Sequence, residues 1–247
     1  MKLLDLVNRE KRVSVTRLSE RLGVSEVTIR KDLSTLEQKG LLRREHGYAV
    51  MISSDDIAKH LSFHYDRKKR IALQAAQSVK DGETVLLDSG ACCTLLAEEL
   101  ATNRESVTII TNSAFLAGFI RKMPHAHVIL LGGEYQNESQ ITTGPMVERC
   151  IEDFHVDKMF VSSAGLSASG FMAADLSRGE MMHELASHAT RILVLTDSEC
   201  LKPGGVVLAF PYEEVQAVYT DSGLSDDLRE KLTAHGITVE TVSKEIP

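Results

Sequence analysis

Long apolar runs are missing from this 247-residue chain. Hydrophobic residues make up 43% of it, yet no stretch approaches the ~18 consecutive apolar residues that span a bilayer. No membrane partner is expected. The opening MKLLDLVNREKR turns charged too early for a secretory leader. Cysteine is scarce and scattered: Cys92, Cys93, Cys150 and Cys200 form no CxxC pair and have no histidine pairing nearby. That spacing excludes a zinc motif and predicts reduced thiols in a cytoplasmic compartment. Tryptophan is absent and aromatics are 5% of the residues, which excludes nothing. There is no Walker A loop, no complete GxGxxG fingerprint, no short-period repeat and no low-complexity segment. The expectation is no cofactor and no metal.

What is present is an uneven charge. The whole chain holds 28 Lys and Arg against 35 Asp and Glu. Residues 1–50 hold 11 basic and 7 acidic residues, net +4, which leaves the remainder at net −11. A small basic head on an acidic body suits a polyanion partner for the head alone.

The head has helical spacing. KLLDLVNRE places Leu3, Leu4 and Val7 on one face. TRLSERLGV brings Leu18 and Leu22 together and stops at Gly23. Ser25 then caps a new helix, EVTIRKDLSTLEQK, with Ile29, Leu33 and Leu36 turned inward. Two helices joined by Gly23-Val24-Ser25 read as a helix-turn-helix. Ser25, Glu26, Thr28, Arg30 and Lys31 lie at the outward N-terminal part of the second helix, placed for base edges and phosphates. After Gly40, LLRREHGYAV reads as two short strands around a tip holding Gly47. Arg43, Arg44 and His46 of this wing are expected to clamp the DNA backbone.

Past residue 80 strands and helices alternate. TVLLD, SVTIITN, HVILLGG, KMFVSSAG, RILVLTDS and VQAVYTDSG read as strands. The segments between several of them read as helices. This rhythm predicts an α/β domain with a largely parallel sheet. Ligands of such sheets lie beyond the carboxyl ends of the strands. Four of those ends are small or polar: DSGACCT (Asp88 to Thr94), Thr111-Asn112, Gly132-Gly133, and Ser162 to Gly165. The first is a glycine-containing turn before a helix, where amides can cradle a phosphate.

The head run VSVTRLSERLGVSEVTIRKDLSTLEQKGLLRREHGYAV resembles the DNA-binding head of DeoR-type bacterial transcriptional regulators, with HGYA where that family has HGGA. The body landmarks LLDSGACCTLLAEEL, TIITNS, VILLGGEY, DKMFVSSAGL and LVLTDS resemble the same family's effector domain, similar to ribose-5-phosphate isomerase. By that resemblance Asp88, Ser89, Gly90, Thr94, Thr111, Asn112, Gly132, Gly133 and Gly165 line a phosphosugar pocket, joined by Glu180. Lys69 matches a family lysine. Another family lysine is replaced by Cys200, which leaves Lys202 as a nearby effector contact.

The expected organisation is a winged helix-turn-helix at 1–56, a linker helix at 57–80 and an effector domain at 81–247. The expected function is repression of a sugar-metabolism operon, relieved when a phosphorylated sugar binds. A homodimer or homotetramer on double-stranded operator DNA is expected. The alternative is a sugar-phosphate isomerase with a DNA-binding head. Such an enzyme needs a carboxylate base, and SSAGLS contains none, so no catalytic residue is assigned.

Overall fold

The leucine spacing of the first residues builds helix α1 (Lys2–Glu10), with Leu3, Leu4 and Val7 buried. Strand β1 (Arg12–Ser14) follows. Ser14 then caps α2 (Val15–Leu22) by accepting from the Arg17 amide. Gly23 closes α2 at φ 67°, a left-handed conformation that glycine adopts without strain. Ser25 opens α3 (Glu26–Gln38) by accepting from the Thr28 amide. Ile29, Leu33 and Leu36 of α3 are buried, as their spacing predicts.

The wing is strands β2 (Arg43–Glu45) and β3 (Tyr48–Val50), paired antiparallel with Glu45 opposite Tyr48. His46 and Gly47 between them have φ of 42° and 87°. Two central residues at positive φ make the type I′ turn whose twist matches its strands. The sequence predicts two strands here. The fold adds β1 on the far side of β3, giving the order β1-β3-β2. Helix α4 (Ile57–Ser62) buries Leu61, and the Ser62 hydroxyl donates to Asn8 Oδ1.

The remaining elements are α5 (Tyr65–Ala76), β4 (Thr84–Leu87), α6 (Ala91–Asn103), β5 (Thr108–Thr111), α7 (Ala114–Ile120), β6 (His127–Leu130), β7 (Glu134–Gln136), β8 (Ile141–Thr143), α8 (Pro145–Ile151) and β9 (Lys158–Val161). They continue with β10 (Gly165–Leu166), β11 (Gly170–Ala173), α9 (Leu176–Ala186), β12 (Ile192–Leu195), β13 (Val207–Pro211), β14 (Val215–Asp221), α10 (Asp226–Ala234) and β15 (Thr238–Val242).

Seven strands form one parallel sheet in the order β15-β14-β12-β9-β4-β5-β6. Its centre is continuously apolar. Leu86 aligns with Ile110 on one side and Met159 on the other, and all three are buried. Strands buried on both faces read as unbroken apolar runs rather than alternating ones. Lys158 interrupts the run. Its ammonium donates to the Ser78 carbonyl at 2.8 Å and pairs with Glu83. A smaller antiparallel sheet, β10-β11-β13, adjoins the main one and buries Phe171 and Phe210.

This computed structural model describes residues 2–52 and 57–242. Among them no helix is long and apolar enough to cross a membrane. The chain divides into two compact units, Met1–Asp66 and Arg67–Pro247. The expected head boundary at residue 56 lies outside the described residues. The stretch 57–80 holds two helices, α4 and α5, where the sequence suggests one.

Leu33 has no exposed surface, so Leu33→Ala is expected to destabilise the head by about 2–5 kcal/mol. Urea titration of the variant, followed by helical circular dichroism, checks this.

Candidate functional site

Helix α3 presents its first turns outward because its apolar stripe faces the head core. Glu26 is the hub of that surface. Its carboxylate accepts from the Thr16 hydroxyl at 2.7 Å and pairs with Arg30 at 3.0 Å. The Thr16 hydrogen bond, then Arg30, hold the Glu26 carboxyl below its ordinary value. Arg30 is thereby aimed rather than free to sweep. Thr28 shares a 3.0 Å hydrogen bond with Ser25, and Lys31 is exposed.

The wing cations divide into two kinds. Arg43 is exposed, with only a 3.9 Å approach to Glu45. Arg44 is turned back onto α3: its guanidinium donates to Ser34 at 2.6 Å and its amide donates to Glu37 at 2.9 Å. It fixes the wing against the helix. Tyr48 serves as a platform, with the Arg12 guanidinium 3.7 Å from its ring centroid. His46 is exposed at the tip. One outward residue escaped the sequence reading. Val27 is 78% exposed on the first turn of α3. Its signal was there: it lies off the Ile29–Leu33–Leu36 stripe.

In the body the strand order reverses between β4 and β9. From β4 the chain winds outward through β5 and β6, and from β9 it winds the other way through β12 and β14. The carboxyl ends at such a reversal leave a crevice. Asp88 and Ser162 face each other across it. The Asp88 carboxylate accepts from the Ser162 amide at 3.1 Å and from the Ser162 hydroxyl. A Cβ on Gly90 would come within 2.6 Å of the Ser162 Cβ, so only glycine lets the two loops approach this closely. Gly90 is also the N-cap of α6 and offers no side-chain cap. The first amides of α6 are therefore available to an anion. Ser89 is buried beside Asp88.

The other predicted residues are placed differently. Thr94 is buried and donates to the Gly90 carbonyl at 3.1 Å, inside α6. Thr111 donates to the Leu87 carbonyl at 2.7 Å, which ties β5 to β4. The Asn112 side chain donates to the Thr142 carbonyl at 3.0 Å. Gly133 exists for packing, since its Cβ would meet the Thr143 carbonyl at 2.6 Å; Gly132 has ordinary clearance. Gly165 crosses the Gly204 backbone so closely that a Cβ would lie 2.4 Å from its carbonyl carbon. Glu180 is exposed on α9. Lys202 lines a cavity whose walls include none of the other predicted effector residues.

A polar cluster at the ends of β12 and β14 went unread in the sequence. The Asp221 carboxylate accepts from the Ser198 amide at 2.9 Å, the Ser198 hydroxyl at 3.0 Å and the Gly223 amide at 2.8 Å. Burial alone would raise its carboxyl. Those donors, with Arg67, outweigh burial and hold it below its ordinary value. Arg67 pairs with Glu199 at 3.2 Å. Lys68 is buried, and its charge acts on the Cys92 and Cys200 thiols. Lys69, the lysine singled out from the sequence, is exposed. The spacing distinguishes the two, because position 68 precedes Ala72 by one turn on the buried stripe of α5 and position 69 does not. Burial pushes the Cys92, Cys93 and Cys200 thiols up, leaving them protonated and poor nucleophiles at neutral pH. Among the described residues no group of three or more metal-ligating side chains is gathered.

A winged helix-turn-helix followed by this α/β body defines a DNA-binding regulator with a ligand-sensing domain. Residues 1–55 match the DeoR-like helix-turn-helix domain, and residues 63–222 match the DeoR C terminal sensor domain. The chain belongs to the DeoR family of transcriptional regulators. It is 29% identical over 243 residues to the HTH-type transcriptional regulator UlaR of Shigella dysenteriae serotype 1 (strain Sd197), covering 96% of this chain and 95% of that one. Against UlaR of Escherichia coli O127:H6 the identity is 28% over 246 residues, covering 97% and 96%. Likeness to solved structures is weaker. Ribose 5-phosphate isomerase A from Methanocaldococcus jannaschii gives a TM-score of 0.40 at 19% identity over 56% of this chain and 55% of that one. A likeness at that level carries no functional weight.

Asp221 supplies the first test of this site. Asp221→Ala leaves the buried Ser198 and Gly223 donors unsatisfied, which costs about 3 kcal/mol. In a unit of this size that is a drop of roughly 6–12 °C in midpoint. A carboxyl held low in the folded state stabilises fully above its unfolded value of ~3.9 and loses that contribution as pH falls through the folded value. The gap between wild type and Asp221→Ala should therefore be full at pH 7 and shrink on acidification below pH ~4, as differential scanning calorimetry will read.

Proposed function

We propose that this regulator is a cytoplasmic repressor of sugar metabolism. It binds double-stranded operator DNA as a homodimer or homotetramer and is released by a phosphorylated sugar. The observation that carries the effector half is the β4–β9 crevice. It combines a glycine-capped helix N-terminus, which offers amides, with the buried ammonium of Lys68 acting on Cys92 in that helix's first turn. Amides and a nearby cation are what a phosphate requires. Asp88 and Ser89 then meet sugar hydroxyls. Lys68 takes the charge-pairing role that the sequence assigned near Lys69. Thr111, Asn112 and Gly133 hold the crevice in shape, and their bonds to neighbouring segments support that role.

On DNA, α3 lies in the major groove, where Arg30 reads a guanine edge and Val27 packs on a thymine methyl. Ser25, Thr28 and Lys31 hold phosphates beside it, and Arg43 and His46 hold the backbone from the wing. Glu26 and Arg44 act by positioning.

The body binds without catalysing. Proton abstraction at neutral pH needs a group poised near pH 7. The resolved shifts move the other way: Asp221 down, and Cys92, Cys93 and Cys200 up. Asp88 holds Ser162 through Oδ2, leaving Oδ1 to accept from sugar hydroxyls.

Two measurements test this reading. Arg30→Ala should lose discrimination among fragments of the chain's own promoter region. Arg43→Ala should weaken binding to all of them and lower the log–log salt slope by about one. Unchanged affinity and slope in both variants would remove those roles.

A thermal-shift screen tests the effector. A ligand at 100 times its Kd adds about 2.7 kcal/mol, or roughly 5–10 °C for a body of this size. Sugar phosphates should shift the midpoint and their unphosphorylated parents should not. The active compounds should keep their C1 and C2 proton signals on prolonged incubation by NMR. Lys68→Met, compared with its own unliganded midpoint, should lose the shift.

A further inference from the structure

Beyond the β9, β12 and β14 ends lies a separate cavity of about 600 Å³. That is within the ~300–1,000 Å³ of small-molecule sites. Its walls are aliphatic: Leu166, Leu201, Leu224 and Leu228 contribute from four different segments. Three of its hydroxyls are already engaged. The Ser198 hydroxyl donates to Asp221, the Ser225 hydroxyl accepts from the Leu228 amide, and the Tyr212 hydroxyl donates to the Ser167 carbonyl at 2.8 Å. A sugar placed here would bury hydroxyls against leucine without partners, which is costly. Its walls share no residue with the crevice at Asp88, Ser89, Gly90 and Ser162.

Charge gives the rest of the ligand. Lys202 and Lys231 both line the cavity and are exposed, and Asp227 is the acidic residue among its walls. The two cations exceed the one anion by a single charge. Lys231 is held in place: its ammonium donates to Tyr212 Oη at 3.1 Å and lies 4.8 Å from that ring's centroid. One hydrogen bond leaves further N–H donors of this ammonium for a ligand. An apolar chamber with a fixed ammonium and an excess of one positive charge matches a monoanion with an aliphatic body.

We propose that this cavity is a second ligand site of the sensor body, for a small amphipathic carboxylate whose head pairs with Lys231 and Lys202. This stands apart from the phosphosugar reading and survives its failure. Full-length protein titrated with 1-anilinonaphthalene-8-sulfonate, an apolar monoanion, should show saturable fluorescence with one site per chain. Octanoate should displace the dye, and octanol at equal concentration should displace it far less. Ribose 5-phosphate should not displace it. Lys231→Met, altered at an exposed position, should weaken octanoate about tenfold through loss of a charged hydrogen bond. Leu228→Glu should abolish dye and octanoate binding alike. Should Leu228→Glu fail to fold, the octanol comparison and Lys231→Met decide. Non-saturable dye binding, equal displacement by octanol or ribose 5-phosphate, or unchanged octanoate affinity in Lys231→Met would overturn the assignment.

Discussion

The carboxylate of Asp88 bridges the one place where the parallel sheet changes direction. At β4 and β9 the connections part, the chain leaving β4 for its neighbour β5 and β9 for its neighbour β12, which leaves a crevice between the two ends. Asp88 closes it with two bonds to Ser162. A hydrogen bond to a charged group contributes about 1.5–3 kcal/mol. Here it also sets the distance between the loops, which is why Gly90 has no room for a side chain. Thr111 repeats the device one strand over by bonding Leu87. The crevice is thus stitched from beneath by the same small residues whose positions suggested a pocket, and its upper face is left to the α6 amides.

The head follows a related logic with a different partner. A reading surface gains affinity when its side chains are ordered before contact, because less conformational entropy is then lost on binding. Thr16 and Arg30 both hold Glu26, so two helices of the motif share one carboxylate. Arg44 ties the wing to α3 through Ser34 and Glu37. His46 and Gly47 fix the hairpin twist. Arg43 and Lys31 are exposed, as suits the proposed contacts to a phosphate chain that carries no sequence information.

The helices of the head, six strands of the main sheet (β4, β5, β6, β9, β12 and β14) and the positions of their polar ends were legible because each leaves a period or an apolar run in the sequence. β1, β7, β8 and β10 were not, since strands of two or three residues show no period unless a turn such as His46-Gly47 marks them, and β11, β13 and β15 went unread as well. Roles at the strand ends were harder still. Thr111 and Asn112 look like ligand contacts in TIITNS. Their actual partners, Leu87 and Thr142, are 24 and 30 residues away. Gly165, expected to line the pocket, lies against the Gly204 backbone. Small residues at strand ends mark close approach, and the sequence does not say whether a ligand or another segment approaches. Lys68 could have been found, because a charged residue in phase with a buried stripe demands a partner.

Net charge and local charge pull in opposite directions in this chain, and distance settles which governs. The segment beyond residue 50 carries net −11, which should repel a phosphate and DNA alike. At physiological salt that field is screened over ~8 Å. In the effector reading proposed above, a phosphate at the crevice mouth meets chiefly what lies within that range: the α6 amides and Lys68. The same screening leaves the body's charge with no attraction for a duplex, while the head, net +4 over its first 50 residues, presents its cations at the contact surface. In that reading the acidic body adds no attraction for DNA to the head's own, and a buried lysine lets it still hold an anion. The two requirements of that reading coexist because its cation for the ligand is buried and its cations for DNA are exposed.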